Sequence, residues 1–149
     1  MNVLVSRCLL GINCRYDGDN NEIKNLREKF PHINFIDICP EVDGGMEIPR
    51  KPCEIKEGKV VNIDGEDKSK FFKKGADLAL KKAQKNKVIV ALLKAKSPSC
   101  GKDFIYDGSF SHTLTKSHGI TCKSLLDYGI IVFSENKLKD FQSFISLHS

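Results

Sequence analysis

Lys87-Val88-Ile89-Val90-Ala91-Leu92-Leu93 runs into Lys94-Ala95-Lys96-Ser97-Pro98-Ser99-Cys100-Gly101, so an unbroken apolar run gives way to a small, polar loop that carries a cysteine. Such a run suits a strand covered on both faces, the situation of parallel sheets with helices on each side. Lys87–Leu93 is therefore predicted to be the middle of the sheet. Outward from it, Val3–Val5 predicts a first buried strand stopped by a polar loop, Ile33–Ile38 a second that ends at Cys39-Pro40, and Ile130–Phe133 a last. Between these lie helical spacings. Ile23, Leu26 and Phe30 predict a crossover helix over Asn21–Phe30, capped by Asn20 or Asn21 and broken by Pro31. Phe72, Ala76, Ala79, Leu80 and Ala83 make the buried stripe of a long helix, capped by Asp67 and reaching about Asn86. Ile120–Tyr128, stopped by Gly129, and Lys137–Leu147 predict two more.

Three stretches stand apart. Glu54–Ile63, with Gly58 in its middle, predicts a small hairpin. Glu41–Arg50, rich in Gly, Pro and charge, predicts a loop. Lys94–Gly119 is mainly polar and small, too long for a turn and so a candidate functional loop. Strands alternating with helices predict an α/β fold, a single Rossmann-like domain over residues 1–149 with a mostly parallel sheet flanked by helices. Such sheets bind ligands at the carboxyl ends of their strands. Cys8 follows the first strand, Cys39 the second and Cys100 the central one, so three distant cysteines are expected to converge on one edge.

The composition bounds the function. A hydrophobic fraction of 40% and a charged fraction of 29% are those of a globular protein. No stretch approaches the about 18 apolar residues that span a bilayer, and the N-terminus lacks the pattern of a signal peptide. A cytoplasmic protein without a membrane partner is the expectation. The net charge of +5 comes from lysines spread along the chain, compatible with a nucleotide-sized anion but not indicative of duplex binding. Lys81-Lys82-Ala83-Gln84-Lys85-Asn86-Lys87 reads as the solvated end of a helix, where cations are favoured.

Six cysteines in a reducing compartment point to metal, cluster or redox chemistry. None forms a CxxC pair, which argues against a zinc ribbon or a thioredoxin-type centre. Thiolates suit zinc, copper(I) or iron–sulfur clusters, and spacing does not select among them. Buried structural cysteines remain an equal alternative at this point, since free cysteine is among the most buried residue types.

The motifs around the cysteines shift that balance. Ser6-Arg7-Cys8-Leu9-Leu10-Gly11, Cys14-Arg15-Tyr16-Asp17-Gly18, Cys39-Pro40-Glu41-Val42-Asp43-Gly44-Gly45, Ile48-Pro49-Arg50 and Ser97-Pro98-Ser99-Cys100-Gly101 together resemble the DUF523 family, which includes thiouracil desulfidases. The resemblance runs from about Val3 to Phe133. It implies a [4Fe-4S] cluster on Cys8, Cys39 and Cys100, with one iron left open for the sulfur of a substrate. The implied reaction is a non-redox desulfuration of a thiolated pyrimidine, thiouracil or 4-thiouridine 5′-monophosphate, to the oxygenated base and sulfide. Iron bound to a thiocarbonyl sulfur makes the ring carbon more electrophilic, and a positioned carboxylate can help water attack it.

Proximity to the cysteines nominates Glu41 as that base and Ser97 as a group that orients water or donates a proton. An ordinary loop carboxylate and a Ser-Pro turn start are the plain readings of the same residues, and the resemblance is what raises them. Arg15, Tyr16 and Asp17 place a cation, an aromatic face and a carboxylate in one loop, echoed by Tyr106-Asp107-Gly108, and are candidates to frame a pyrimidine or its phosphate. Arg50 is a second anion candidate. Cys14 is read as packing or as a neighbour of the ligands, Cys122 as structural, and Cys53 lies outside the ligand set. His112 and His118 are weaker candidates. Thiolated tRNA ranks behind a free base or nucleotide as substrate. The alternatives from other classes are a non-catalytic cluster- or zinc-binding sensor of redox state or metal, and a sulfur-transfer protein that uses Cys8 as a thiolate nucleophile.

Overall fold

The computed structural model describes residues 1–148. In chain order its elements are β1 (Asn2–Ser6), α1 (Leu26–Lys29), β2 (Asn34–Ile38), α2 (Pro40–Asp43), β3 (Cys53–Lys56), β4 (Lys59–Asn62), α3 (Ser69–Lys85), β5 (Val90–Leu93), β6 (Phe104–Tyr106), β7 (Leu114–Lys116), α4 (Ile120–Tyr128), β8 (Ile131–Ser134) and α5 (Leu138–His148). The main sheet has the order β2-β1-β5-β8, and every pairing in it is parallel. Val3 lies beside Phe35 on one side and Val90 on the other, and Leu92 lies between Val5 and Phe133. The expected α/β architecture is thus present.

Side chains alternate between the two faces of this sheet. Val3, Val5, Val90 and Leu92 pack on Leu9, Leu26, Phe30, Phe141 and Ile145. Leu4, Ala91, Leu93 and Val132 pack on Ala79, Ala83, Cys122 and Leu125. Both faces are covered, which is why β5 needs apolar residues at every position. The β3–β4 hairpin packs on the first turns of α3 through Cys53, Val60 and Phe72.

Several expectations hold in detail, the hairpin turning at Gly58 and α4 ending at Gly129 with φ +101°, whereas the cap position expected at Asp67 falls on Lys68, and the Asp67 carboxylate accepts the Ser69 N–H at 2.8 Å from one residue further out. Others are corrected. The strand expected over residues 87–93 begins only at Val90, leaving Ile89 48% exposed. Instead of a helix over residues 21–30, one turn forms at Leu26–Lys29. Asp17 and Asn20 accept the backbone N–H groups of Asp19 and Glu22, and the Asn21 and Ile23 amides bond back to the carbonyls of Cys8 and Leu9. Local side-chain acceptors competing for backbone donors keep such a segment out of the helix.

The stretch 41–50, expected as loop, starts with the single turn α2, with Pro40 in its first position and Asp43 reaching back to the Cys39 N–H at 3.1 Å. The polar stretch 94–119 contains the β6–β7 hairpin, which its sequence did not announce. Gly75 fixes α2 in place: a Cβ there would lie 1.9 Å from the Pro40 carbonyl oxygen, so only glycine lets α3 pass. No helix among the described residues is long and apolar enough to cross a membrane.

Candidate active site

A cavity of about 340 Å³ opens at the carboxyl ends of β1, β2 and β5. Cys8 reaches it from the turn after β1, Cys39 from the junction of β2 and α2, and Cys100 from the loop after β5. All are buried and unpaired by disulfides. The convergence read from chain order therefore occurs. Cys14 and Cys53 also line the cavity, whereas Cys122 is sealed in the core on the buried face of α4.

The thiols are not electrostatically equivalent. Cys14 is within hydrogen-bond reach of both Cys8 and Cys39. Its thiol proton shared toward them lowers Cys8 to about 7, helped by Asn21, and lowers Cys39 as well. Cys14 itself is pushed far up, by Cys39 first and Cys8 second. Burial pushes Cys100 up, and burial with the nearby Glu41 charge pushes Cys53 up to about 11. Asn21 Nδ2 donates to Cys8 Sγ at 3.4 Å, and the Lys94 ammonium, paired with Glu135 at 3.1 Å, favours the Cys8 thiolate.

Glu41 and Arg50 form the polar wall. Arg50 Nε donates to Glu41 Oε1 at 3.2 Å and Ser99 Oγ to Glu41 Oε2 at 2.9 Å. The Arg50 side chain is 7% exposed and that of Glu41 16%. Arg50 also donates to the carbonyls of Cys14 and Glu47, at 3.0 and 3.2 Å. Its guanidinium, expected as an anion contact, is thus committed within the protein. Ser97 Oγ accepts the Cys100 N–H at 2.7 Å, the work of a turn-starting serine, and it lines the cavity too. A Cβ on Gly101 would lie 2.6 Å from the Ser97 carbonyl oxygen, so this turn closes tightly enough only with glycine.

At the mouth, Arg15 and Tyr16 line the cavity, with the guanidinium 6.0 Å from the ring centroid. Arg15 is bonded to Asp17 at 2.8 Å and Asn21 at 3.1 Å. Asp17 stands outside the lining and acts as a loop acceptor. Of the histidines, His112 lines the cavity, whereas His118 accepts the Asp103 N–H elsewhere. Sequence reasoning missed Ser99, Lys94 and Glu54. Ser99 and Glu54 are buried polar residues at the cavity, and only their contacts in the folded chain mark them.

Sulfur donors from three strand ends around one cavity are a soft set that fits a thiolate-ligated iron–sulfur cluster. Among the described residues no three His, Cys, Asp or Glu side chains gather round a single ion.

Comparison with known proteins agrees with this chemistry. The family model of 2-thiouracil desulfurase matches residues 3–137. The Bacillus subtilis (strain 168) protein described as "Uncharacterized protein YbbK" is 37% identical over 148 residues, covering 93% of this chain and 98% of that protein. A solved structure described as the [4Fe-4S]-dependent thiouracil desulfidase TudS (DUF523Vcz) is similar at a TM-score of 0.91 and 37% identity, covering 98% of each chain.

Proposed function

We propose that this chain, which belongs to the 2-thiouracil desulfurase family, is a [4Fe-4S]-dependent desulfidase of thiolated pyrimidines that holds its cluster through Cys8, Cys39 and Cys100. The observation that carries this reading is the meeting of these thiols, from three strand ends, in one cavity that also receives Glu41. When bound, the cluster supplies an iron without a protein thiolate, a soft Lewis acid for a thiocarbonyl sulfur.

The rest falls to the protein's own side chains. Glu41 is the base: Arg50 and Ser99 each engage one carboxylate oxygen, which fixes the group while leaving lone pairs for a water. Glu41 accepts the proton of that water as its oxygen adds to the ring carbon. The carbon–sulfur bond then breaks as the added oxygen gives up its remaining proton and becomes the carbonyl, and the departing sulfide takes up both protons of the water, one of them returned by Glu41, with no net oxidation or reduction. Ser97, whose Oγ lies 3.3 Å from the Ser99 Oγ that donates to Glu41, orients the water beside that carboxylate. The cavity of about 340 Å³ lies at the small end of ligand pockets and is shared by cluster and substrate, which favours a small substrate. Arg15 at the mouth is the contact for the phosphate of 4-thiouridine 5′-monophosphate, and thiolated tRNA ranks behind it.

Anaerobic reconstitution followed by an assay of sulfide release from 4-thiouracil and 4-thiouridine 5′-monophosphate tests the reading. Release is expected from the reconstituted protein, absent in Cys100→Ala, and reduced about 100-fold or more in Glu41→Gln with the cluster retained. A stable cluster with no release from either compound would sink it.

A further inference from the structure

Glu54, at the start of the β3–β4 hairpin, is a carboxylate only 8% exposed at the cavity, and catalysis as described above does not use it. Its Oε1 accepts the backbone N–H groups of Gly108 and Phe110, at 3.0 and 3.2 Å. The tip of the β6–β7 hairpin is thereby clamped onto β3. The approach is close, because a Cβ on Gly108, whose φ is +94°, would lie 2.7 Å from the Ile55 carbonyl oxygen. Phe110 and His112 hold φ values of +55° and +58°, a left-handed conformation uncommon outside glycine and kept only where surroundings impose it. Burying a carboxylate is costly unless it is bonded. Here its bonds go to a loop tip rather than to the sheet, so what they secure is the path of that loop.

The loop carries two rings to the cavity. Tyr106 at the end of β6 and His112 beyond the tip both line it, with ring centroids 6.0 Å apart and planes at 81°. One ring thus stands edge-on to the other, so together they offer an aromatic surface and an imidazole donor and acceptor at a fixed angle. A pyrimidine lactam or thiolactam has the matching features: a flat π-face to stack and an edge of N–H and carbonyl groups to bond.

We propose that Tyr106 and His112 form the wall that recognises the heterocycle of the substrate, with Glu54 as the positioning residue that holds the wall in place. This rests on the desulfidase reading and extends it to ring specificity. The wall selects planar heterocycles with a lactam edge over open-chain thioamides, which present neither a π-face nor the paired edge groups.

The test uses the reconstituted holoprotein under anaerobic conditions. Tyr106→Leu and His112→Ala should each raise KM for 4-thiouracil about tenfold, leaving kcat within about twofold and cluster absorbance unchanged. Glu54→Ala should raise KM in the same way, and Glu54→Gln, whose amide oxygen still accepts both N–H groups, should restore it. Calorimetric titration with uracil reads the wall without turnover, and the ring variants should weaken it by the same factor as KM. Wild-type protein that binds uracil but releases no sulfide would remove the desulfidase reading and leave the wall standing. Ring variants with KM and uracil affinity within twofold of wild type would overturn the wall, whatever becomes of Glu54→Ala.

Discussion

The cavity has two walls built by different physics. Cys8 and Cys39 closely follow parallel strands, Cys100 lies in the loop after a third, and all three are buried against the core, so the thiols are placed largely by packing. Glu41, Arg50 and Ser99, and likewise Glu54 with the β6–β7 hairpin, are placed by a few polar bonds between different segments of the chain. A core spreads its strain over many contacts, whereas a polar wall depends on each bond. A lesion in the first should therefore show as lost stability and lost ligand geometry together. One in the second should show as altered chemistry in a protein that still folds.

The largest effect is expected where the two walls meet, at Gly75. Alanine in mid-helix would ordinarily gain up to about 1 kcal/mol over glycine. Here its Cβ would fall 1.9 Å from the Pro40 carbonyl oxygen, a backbone atom that moves only if α2 leaves α3. Gly75→Ala should cost about 3 kcal/mol net and lower Tm by about 10 °C. Because α2 carries Glu41 and follows directly on Cys39, cluster retention should fall with it. Calorimetry and iron content measured on the same sample check this, and an unchanged Tm would mean that α2 is not held as described.

Next comes Arg50→Met, which leaves the Glu41 carboxylate in place without its cation. Removing one partner of a buried pair costs about 3–5 kcal/mol when both are fully buried. Glu41 keeps 16% exposure and its bond from Ser99, so about 2 kcal/mol is expected. Iron content should stay near that of wild type while kcat falls, separating the polar wall from the thiol wall. Loss of iron in this variant would erase the distinction.

How legible each wall was in the sequence follows from the same physics. Apolar continuity in β5 and the order of cysteines after strands depend on local pattern and chain order, and both are visible in one sequence. The polar wall depends on which distant groups meet. The helix expected over residues 21–30 followed a correct apolar spacing, but Asp17, Asn20 and Asn21 spend their side chains on nearby partners and hold the chain extended. In β7 all three residues are exposed, so no alternation announced the strand. Arg50 suggests an anion contact in the sequence, where nothing marks Glu41, nine residues back across a turn, as its partner. Ser99, between a proline and a cysteine, carries no sign of the carboxylate it donates to until the fold brings α2 beside it.

The smallest effect concerns a polar clamp on the thiol wall. Arg7, next to Cys8, donates to Asp37 at 2.6 Å and pairs with Asp43 at 3.0 Å, tying the end of β1 to β2 and α2. Burial alone would raise the Asp37 pKa, but the Arg7 hydrogen bond and charge outweigh it and hold the carboxylate below its ordinary 3.8. A carboxylate depressed in the folded state contributes stability that is complete above its unfolded pKa and is lost as pH falls through the folded one. Stability from this pair should thus be constant from neutral pH to about pH 5 and decline below about pH 4. The Asp37 side chain is 36% exposed, so solvent screening keeps the contribution under about 1 kcal/mol. Asp67 and Asp107, lowered by their bonds to Ser69 and Ser109, titrate alike in wild type and variant. The difference in Tm between wild type and Asp37→Asn across pH 3 to 7 therefore isolates the clamp. It should be small at neutral pH and vanish in acid. A gap of several kcal/mol would mean that the thiol wall, like the polar one, hangs on a single ion pair rather than on the core.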